Sequence, residues 1–215
     1  MPVFYQHQIN EYTRLGIWKI EETEEFFRRN VPLQRQVTHP RKRLQHLAGR
    51  FLLQFLFPGF PYELIRIADT LKPYLAEEQY HFSISHCGDY AAAIVSTDQQ
   101  VGIDIEVPTI RIHRVSPKFL SAPERKCAEK NVRPETGGWS ETELLCALWS
   151  SKEAIFKWYG KGGVDFSHHI SLSGDIKIDE KNQLKLSFNF SRNLPRQLTV
   201  HAQHFDKLVL AWVVS

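Results

Sequence analysis

Val101-Gly102-Ile103-Asp104-Ile105-Glu106 reads as a β-strand, rich in β-branched residues and alternating, so that side chains two positions apart leave the same face. Asp104 and Glu106 therefore point the same way. Further along, Trp149-Ser150-Ser151-Lys152-Glu153-Ala154-Ile155-Phe156-Lys157 lies in a helical pattern. Leu144, Leu148, Ile155 and Trp158 there form one apolar stripe at steps of four, seven and three. Glu153 and Lys157 sit on the opposite side, one helical turn apart, where a carboxylate and an ammonium can be presented together. Asp104, Glu106 and Glu153 would repel one another unless a cation lay among their oxygens. Hard oxygen donors with phosphate as co-ligand are what Mg²⁺ prefers, so the four residues read as a candidate magnesium-phosphate site.

Outward from these two stretches, the rest of the chain resolves into helices and short strands. Residues 13–20 alternate as a strand, 21–29 form a short charged helix, and Pro32 breaks the pattern. A helix is predicted over 40–57, with Leu44, Leu47, Phe51 and Phe55 on its apolar side and Pro58-Gly59 as its stop. Strands follow near 62–68, 80–86, 90–97 and 100–106. The second half repeats the plan, with helical segments around 114–130 and 140–160 and strands near 170–178, 183–190, 197–205 and 207–214. No repeat is visible residue by residue. Helix followed by a run of strands, twice over, predicts an α+β fold, a pseudo-twofold duplication of two similar halves, 1–106 and 107–215. The site is then expected in a cleft at the seam.

The composition bounds the classes of protein. A chain of 215 residues, 42% hydrophobic and 12% aromatic, supports one sizeable core or two small, tightly joined ones. It holds no run of eighteen apolar residues, and its opening Met1-Pro2-Val3-Phe4-Tyr5-Gln6-His7 lacks the features of a signal peptide, so a cytoplasmic protein is predicted. Cys87, Cys127 and Cys146 match no zinc spacing and read as free thiols. A net charge of +3 with ten histidines falls short of the basic face of a duplex binder and suits a local acidic or phosphorylated partner.

Four motifs occurring in order resemble the Sfp-type 4'-phosphopantetheinyl transferases: Leu71-Lys72-Pro73-Tyr74, Phe82-Ser83-Ile84-Ser85-His86, Gly102-Ile103-Asp104-Ile105-Glu106, and Trp149 to Lys157 running into Gly160-Lys161-Gly162. The resemblance spans roughly residues 39 to 170. It implies two similar α+β halves with coenzyme A between them, and transfer of phosphopantetheine from coenzyme A to a serine of an apo carrier protein, releasing 3',5'-ADP. It also implies Asp104, Glu106 and Glu153 as metal ligands, Lys157 and His86 as contacts to coenzyme A phosphates, and a monomer. His46 aligns with a position that contacts the 3'-phosphate. Arg35 aligns with another basic position when two residues are deleted between it and Gly49. Lys72 and Ser85 complete the predicted coenzyme A contacts, although the family often has Gly where this chain has Leu71.

The residues support such chemistry without the name. Displacement at phosphorus needs charge neutralisation and in-line positioning more than covalent catalysis. Glu153, directly or through a water, is the candidate base for the serine proton, with Asp104 and Lys157 beside it. Each motif also has an ordinary reading: a solvated strand face, a surface ion pair, a turn lysine at Lys72, a structural histidine at His86. Arg43, His46 and Arg50 share one helical face, either a polyanion seat or a solvated basic surface. Arg111, Arg114 and Lys118, interleaved with Ile112, Val115 and Phe119, read equally as a basic rim that steers acidic carriers or as an exposed loop, and Pro117 interrupts any helix there. Two other functions use some of the same residues: a metal-dependent nucleotide phosphohydrolase, and a coenzyme A-binding module without turnover.

Overall fold

Small, β-branched and aromatic residues alternate through Thr13–Lys19 (β2), and the strand is buried on both faces at Leu15, Ile17 and Trp18. Such a strand needs cover on each side, and neighbouring strands and a helix supply part of it. The computed structural model describes residues 3–32, 37–133, 138–193 and 195–215. The chain divides into two compact units, Met1–Ile103 and Asp104–Ser215, with the boundary inside the strand Val101–Glu106.

In the first unit, Val3–Gln8 (β1), β2, Tyr90–Ser96 (β6) and His81–Cys87 (β5) form an antiparallel sheet in the order β1-β2-β6-β5. The short helix Glu24–Asn30 (α1) and the long helix Pro40–Leu56 (α2) pack together, and α2 lies on the sheet. Ile65–Ile67 (β3) and Pro73–Leu75 (β4) make a separate hairpin.

The predicted apolar side of α2 is corrected in its membership. Leu47, Ala48, Leu52, Leu53 and Leu56 are buried, whereas Leu44, Phe51 and Phe55 are only partly so. The two rings pack edge-on to Trp18 at 5.1 and 5.5 Å, and Phe51 also meets Phe27 at 5.6 Å. The helix thus has two apolar contacts, the sheet and the aromatic group beside α1, and a single sequence stripe merges them.

Gly49 marks where α2 comes closest to the sheet. A Cβ added there would lie 2.6 Å from Cγ2 of Ile84 on β5. An exposed helical Gly→Ala change would gain up to about 1 kcal/mol. Here the methyl meets a stiff β-branched side chain, so Gly49→Ala is expected to lose about 1–3 kcal/mol by overpacking, measured as a lower urea midpoint.

In the second unit, the sheet order is β7-β12-β11-β10-β8, with β9 added to β10. The strands are Val101–Glu106 (β7), Ile170–Leu172 (β8), Lys177–Ile178 (β9), Leu184–Phe190 (β10), Arg196–Phe205 (β11) and Leu208–Val214 (β12). The helical stretch predicted around 114–130, with Pro117 interrupting it, is Arg111–Val115 (α3), a 3₁₀ turn over Ser116–Lys118, and Ala122–Lys130 (α4). Pro117 accounts for the break. Likewise the strand predicted over 170–178 is two short strands, and the one over 62–68 opens as a 3₁₀ turn, Tyr62–Leu64.

Glu141–Tyr159 (α5) lies on β12 and β11. The predicted stripe holds: Leu144, Leu148 and Ile155 are 0% exposed and Trp158 4%. Ser140 caps its first turn, with the Glu143 carboxylate accepting from the Ser140 amide at 2.8 Å, and Gly160 ends it in the left-handed conformation at φ 68°. Both ends of α5 are therefore fixed features rather than frayed ones. No helix among the described residues is long and apolar enough to cross a membrane.

Candidate active site

Alternation along β7 leaves Ile103 and Ile105 buried on one face and sends Asp104 and Glu106 to the other. The Asp104 side chain is only 5% exposed. Its Oδ1 accepts from Lys157 Nζ at 2.7 Å, a link between β7 and α5. The expected partner of Lys157 was Glu153, one turn back. The structure adds a second partner: the Lys157 charge acts on Glu153, and its ammonium also reaches the more deeply buried carboxylate of Asp104, where a desolvated charge gains more from a partner.

Glu153 is half-buried one turn before Lys157. Burial, then the Asp104 charge, then Glu106, push its carboxyl up to about 7, against an opposing pull from Lys157. The three carboxylates predicted to converge are thus close enough to act on one another. Trp149, a turn earlier on α5, donates its indole N–H to Glu106 Oε1 at 3.4 Å. Among the described residues no three His, Cys, Asp or Glu side chains close around a single point as a finished metal cage. The donor chemistry nonetheless fits a hard divalent cation: every candidate ligand is a carboxylate oxygen, and the Asp104 and Glu106 charges both act on Glu153.

The remaining predicted residues belong to the first unit. His46, on α2, is half-buried, and its Nδ1 lies 3.0 Å from Arg50 Nη1. A guanidinium can only donate, so Nδ1 accepts and a neutral His46 carries its proton on Nε2. Arg50 is 5% exposed. Arg43 donates to Glu24 at 2.8 Å and to the carbonyls of Val37 and Thr38. The expectation of an open basic face at Arg43, His46 and Arg50 is corrected accordingly: Arg43 ties α2 to α1, and Arg50 is buried against His46. Arg35 lies outside the described residues.

Ser85 is buried and His86 exposed at the end of β5, beside the turn into β6. Gln45 of α2 donates to the Gly88 carbonyl in that turn at 2.7 Å, and Arg41 pairs with Asp89 at 2.9 Å. The His86 turn is therefore bound to the helix that carries His46. Lys72 sits in the β3–β4 connection, and burial pushes its ammonium down to about 8. Leu71 before it has φ 65° and is 68% exposed. The backbone thus takes a left-handed path that favours glycine, with leucine bearing the strain. Leu71→Gly is expected to leave stability within about 1 kcal/mol or raise it, by thermal unfolding, where a leucine-to-glycine change in a strand or helix would lower it.

Sequence reasoning missed Lys152. It is 0% exposed, and its Nζ donates to Glu124 Oε1 at 2.8 Å, the Phe119 carbonyl at 2.7 Å and the Phe166 carbonyl at 3.0 Å. Glu124 also accepts the Ser121 amide at 2.7 Å and the Leu172 amide at 2.8 Å. The signal was present: position 152 falls between Leu148 and Ile155 on the apolar stripe, at steps of four and three, where a lysine must find buried partners. Ser121 followed by Glu124 is a readable capping box.

Residues 100–213 match the 4'-phosphopantetheinyl transferase superfamily. That stretch holds Asp104, Glu106, Glu153 and Lys157, while His46, Lys72, Ser85 and His86 precede it. The 4'-phosphopantetheinyl transferase AcpT of Escherichia coli (strain K12) is 33% identical over 150 residues, 66% of this chain and 73% of that protein. The L-aminoadipate-semialdehyde dehydrogenase-phosphopantetheinyl transferase of Mus musculus is 31% identical over 130 residues, 54% of this chain and 42% of that protein, and its Homo sapiens counterpart is 30% identical over the same length. The matched part of the chain spans less than half the length of these mammalian relatives. The chain belongs to the 4'-phosphopantetheinyl transferase superfamily.

Proposed function

We propose that this protein transfers the 4'-phosphopantetheine group of coenzyme A to a serine hydroxyl of an apo acyl or peptidyl carrier protein, in a Mg²⁺-dependent reaction that releases 3',5'-ADP. The observation that carries the proposal is the joining of Asp104, Glu106, Glu153 and Lys157 across β7 and α5, inside the stretch that matches the superfamily. The serine oxygen forms a new bond to the phosphorus bearing the pantetheine arm, and the bond from that phosphorus to the 3',5'-ADP oxygen breaks. Glu153 takes the serine proton, and a carboxylate kept ionised by a neighbouring cation is available as the acceptor. Lys157 offers its ammonium to the departing phosphate as well as to Asp104. Asp104, Glu106 and Glu153 would hold Mg²⁺, which when bound neutralises pyrophosphate charge and orients it for in-line displacement. His46, Lys72, Ser85 and His86 supply coenzyme A phosphate contacts, Arg35 a further one. We read the two units as a duplicated pair, each a long helix on a sheet, and the protein as a cytoplasmic monomer of holo-[acyl-carrier-protein] synthase type.

Intact-mass analysis of several apo carrier proteins incubated with coenzyme A, Mg²⁺ and this protein tests the reading. A phosphopantetheine increment that requires metal and is lost in Asp104→Ala supports it. Tight coenzyme A binding with no increment on any carrier overturns it.

Lys72 gives the proposal a pH signature. Its ammonium is charged below about 8 and neutral above, while the coenzyme A monophosphate is fully ionised from about pH 7 upward. Affinity for coenzyme A is therefore expected to fall as pH rises past 8, read by calorimetry. Lys72→Arg, whose charge does not titrate there, should flatten the fall.

A further inference from the structure

Lys152 and Glu124 form a buried pair whose hydrogen bonds end on backbone groups from several elements, and those groups share a feature. The two carbonyls that Lys152 grips belong to Phe119 and Phe166. The rings of the same two residues flank Trp149, with centroids 5.0 and 5.5 Å from it. Phe166 also meets Phe156 at 5.8 Å. Trp149 in turn presents its indole N–H to Glu106 Oε1. A continuous path therefore runs from a buried charge pair to a carboxylate of the site, through two backbone carbonyls, two rings and one hydrogen bond.

We propose that Lys152, Glu124, Phe119, Phe166 and Trp149 form a positioning lock for Glu106, with the indole N–H of Trp149 as the element that aims the carboxylate. The proposal rests on the reading of Glu106 as a metal ligand. The physical case has three parts. A glutamate side chain has several rotamers, and a ligand must lose that freedom on binding to the extent that its neighbours have not already fixed it. Of the aromatic side chains, only Trp combines a large packing surface with an N–H donor that never accepts. Outer partners of this kind orient metal ligands elsewhere in proteins, and losing one typically weakens metal affinity by about 10–100-fold. Lys152 adds rigidity: its three acceptors fix the loop carrying Phe166 and the turn carrying Phe119 relative to α5, so neither ring can retreat from Trp149.

The lock predicts which changes reach Glu106 and which do not. Trp149→Phe keeps a ring between Phe119 and Phe166, removes the donor and trims part of the packing surface. The paired change Lys152→Met with Glu124→Gln removes both buried charges yet leaves acceptors for the Ser121 and Leu172 amides. Binding of Mn²⁺ alone, followed by its electron paramagnetic resonance signal in the intact protein without carrier, reads the effect apart from turnover. Trp149→Phe is expected to weaken Mn²⁺ binding roughly tenfold while its thermal midpoint falls only slightly. The paired variant is expected to weaken it by a similar factor. A Trp149→Phe protein that binds Mn²⁺ as the unaltered protein does overturns the lock and leaves the metal reading standing, and it decides the matter alone if the paired variant does not fold. A lower thermal midpoint with unchanged Mn²⁺ affinity marks a purely structural role and overturns it too. Failure of the unaltered protein to bind Mn²⁺, with or without coenzyme A, removes the metal reading and the lock with it.

Discussion

Glu153→Gln is expected to lower transfer to a carrier on the order of a thousandfold while coenzyme A affinity changes by less than about threefold. The substitution keeps the shape of the side chain and removes its charge and its basicity. It therefore strikes the proposed proton acceptor and one proposed metal ligand at once, while the phosphate contacts assigned to His46, Lys72, His86 and Lys157 stay in place. Single-turnover transfer measured beside calorimetric coenzyme A binding separates the two effects. A variant that turns over normally would remove Glu153 from the mechanism, and one that fails to bind coenzyme A would make it a binding residue.

The same carboxyl leaves a mark on stability. In the folded, metal-free protein it titrates at about 7, against an ordinary value of 4.5. Its folded pKa lies above the unfolded one, so its contribution to stability is fully present below pH 4.5 and is lost as pH rises through 7. Allowing for its partial exposure, the loss is on the order of 2 kcal/mol. Urea unfolding with a chelator present should show the unaltered protein weakening over that window more than Glu153→Gln, whose side chain does not titrate. Added Mg²⁺ should shrink the difference, since a bound cation favours the ionised form. Equal pH slopes in the two proteins would contradict the burial and charge crowding at Glu153.

Periodicity made the long elements of this chain legible. α2, α5 and β10 have faces with distinct environments, and their residues repeat at the matching period, whereas β6 and β7 are buried on both faces and show as short apolar runs. What escaped were elements whose side chains see more water than core. β1 is exposed at most positions, and β4 begins on a proline that no central strand would hold. The site divides along the same line. Asp104 and Glu106 follow from strand alternation, and Glu153 and Lys157 from helical spacing. The partner of each charge follows from tertiary contacts that no spacing encodes. Lys157 reached Asp104 on a neighbouring strand, and Arg43 was drawn to Glu24 on another helix. At Leu71 the sequence marked only a departure from the usual residue of a motif; the left-handed backbone there, at φ 65°, is a finding of the structure.

The largest effect on stability is expected at Lys152, and the way it depends on Glu124 is the informative part. Lys152→Met alone leaves a carboxylate that is 3% exposed without its counter-charge, and removing one member of a buried pair typically costs about 3–5 kcal/mol. Burial lowers the Lys152 pKa, and Glu124 draws it back up, so each charge is tolerable in this interior only because the other is present. Removing both should therefore cost much less than removing one. With Lys152→Met and Glu124→Gln together, no charge stays buried, and the carbonyl oxygen of the new side-chain amide can still accept from the Ser121 and Leu172 amides. What then remains lost is the pair of bonds to the Phe119 and Phe166 carbonyls, about 1–3 kcal/mol in all. Urea unfolding of the single and paired variants forms one arm of a double-mutant cycle, and recovery of at least about 1 kcal/mol on adding the second substitution is the expected sign of coupling. If the second substitution instead deepens the loss, Glu124 is held by its backbone amides independently of Lys152, and the two residues stabilise the unit through separate contacts.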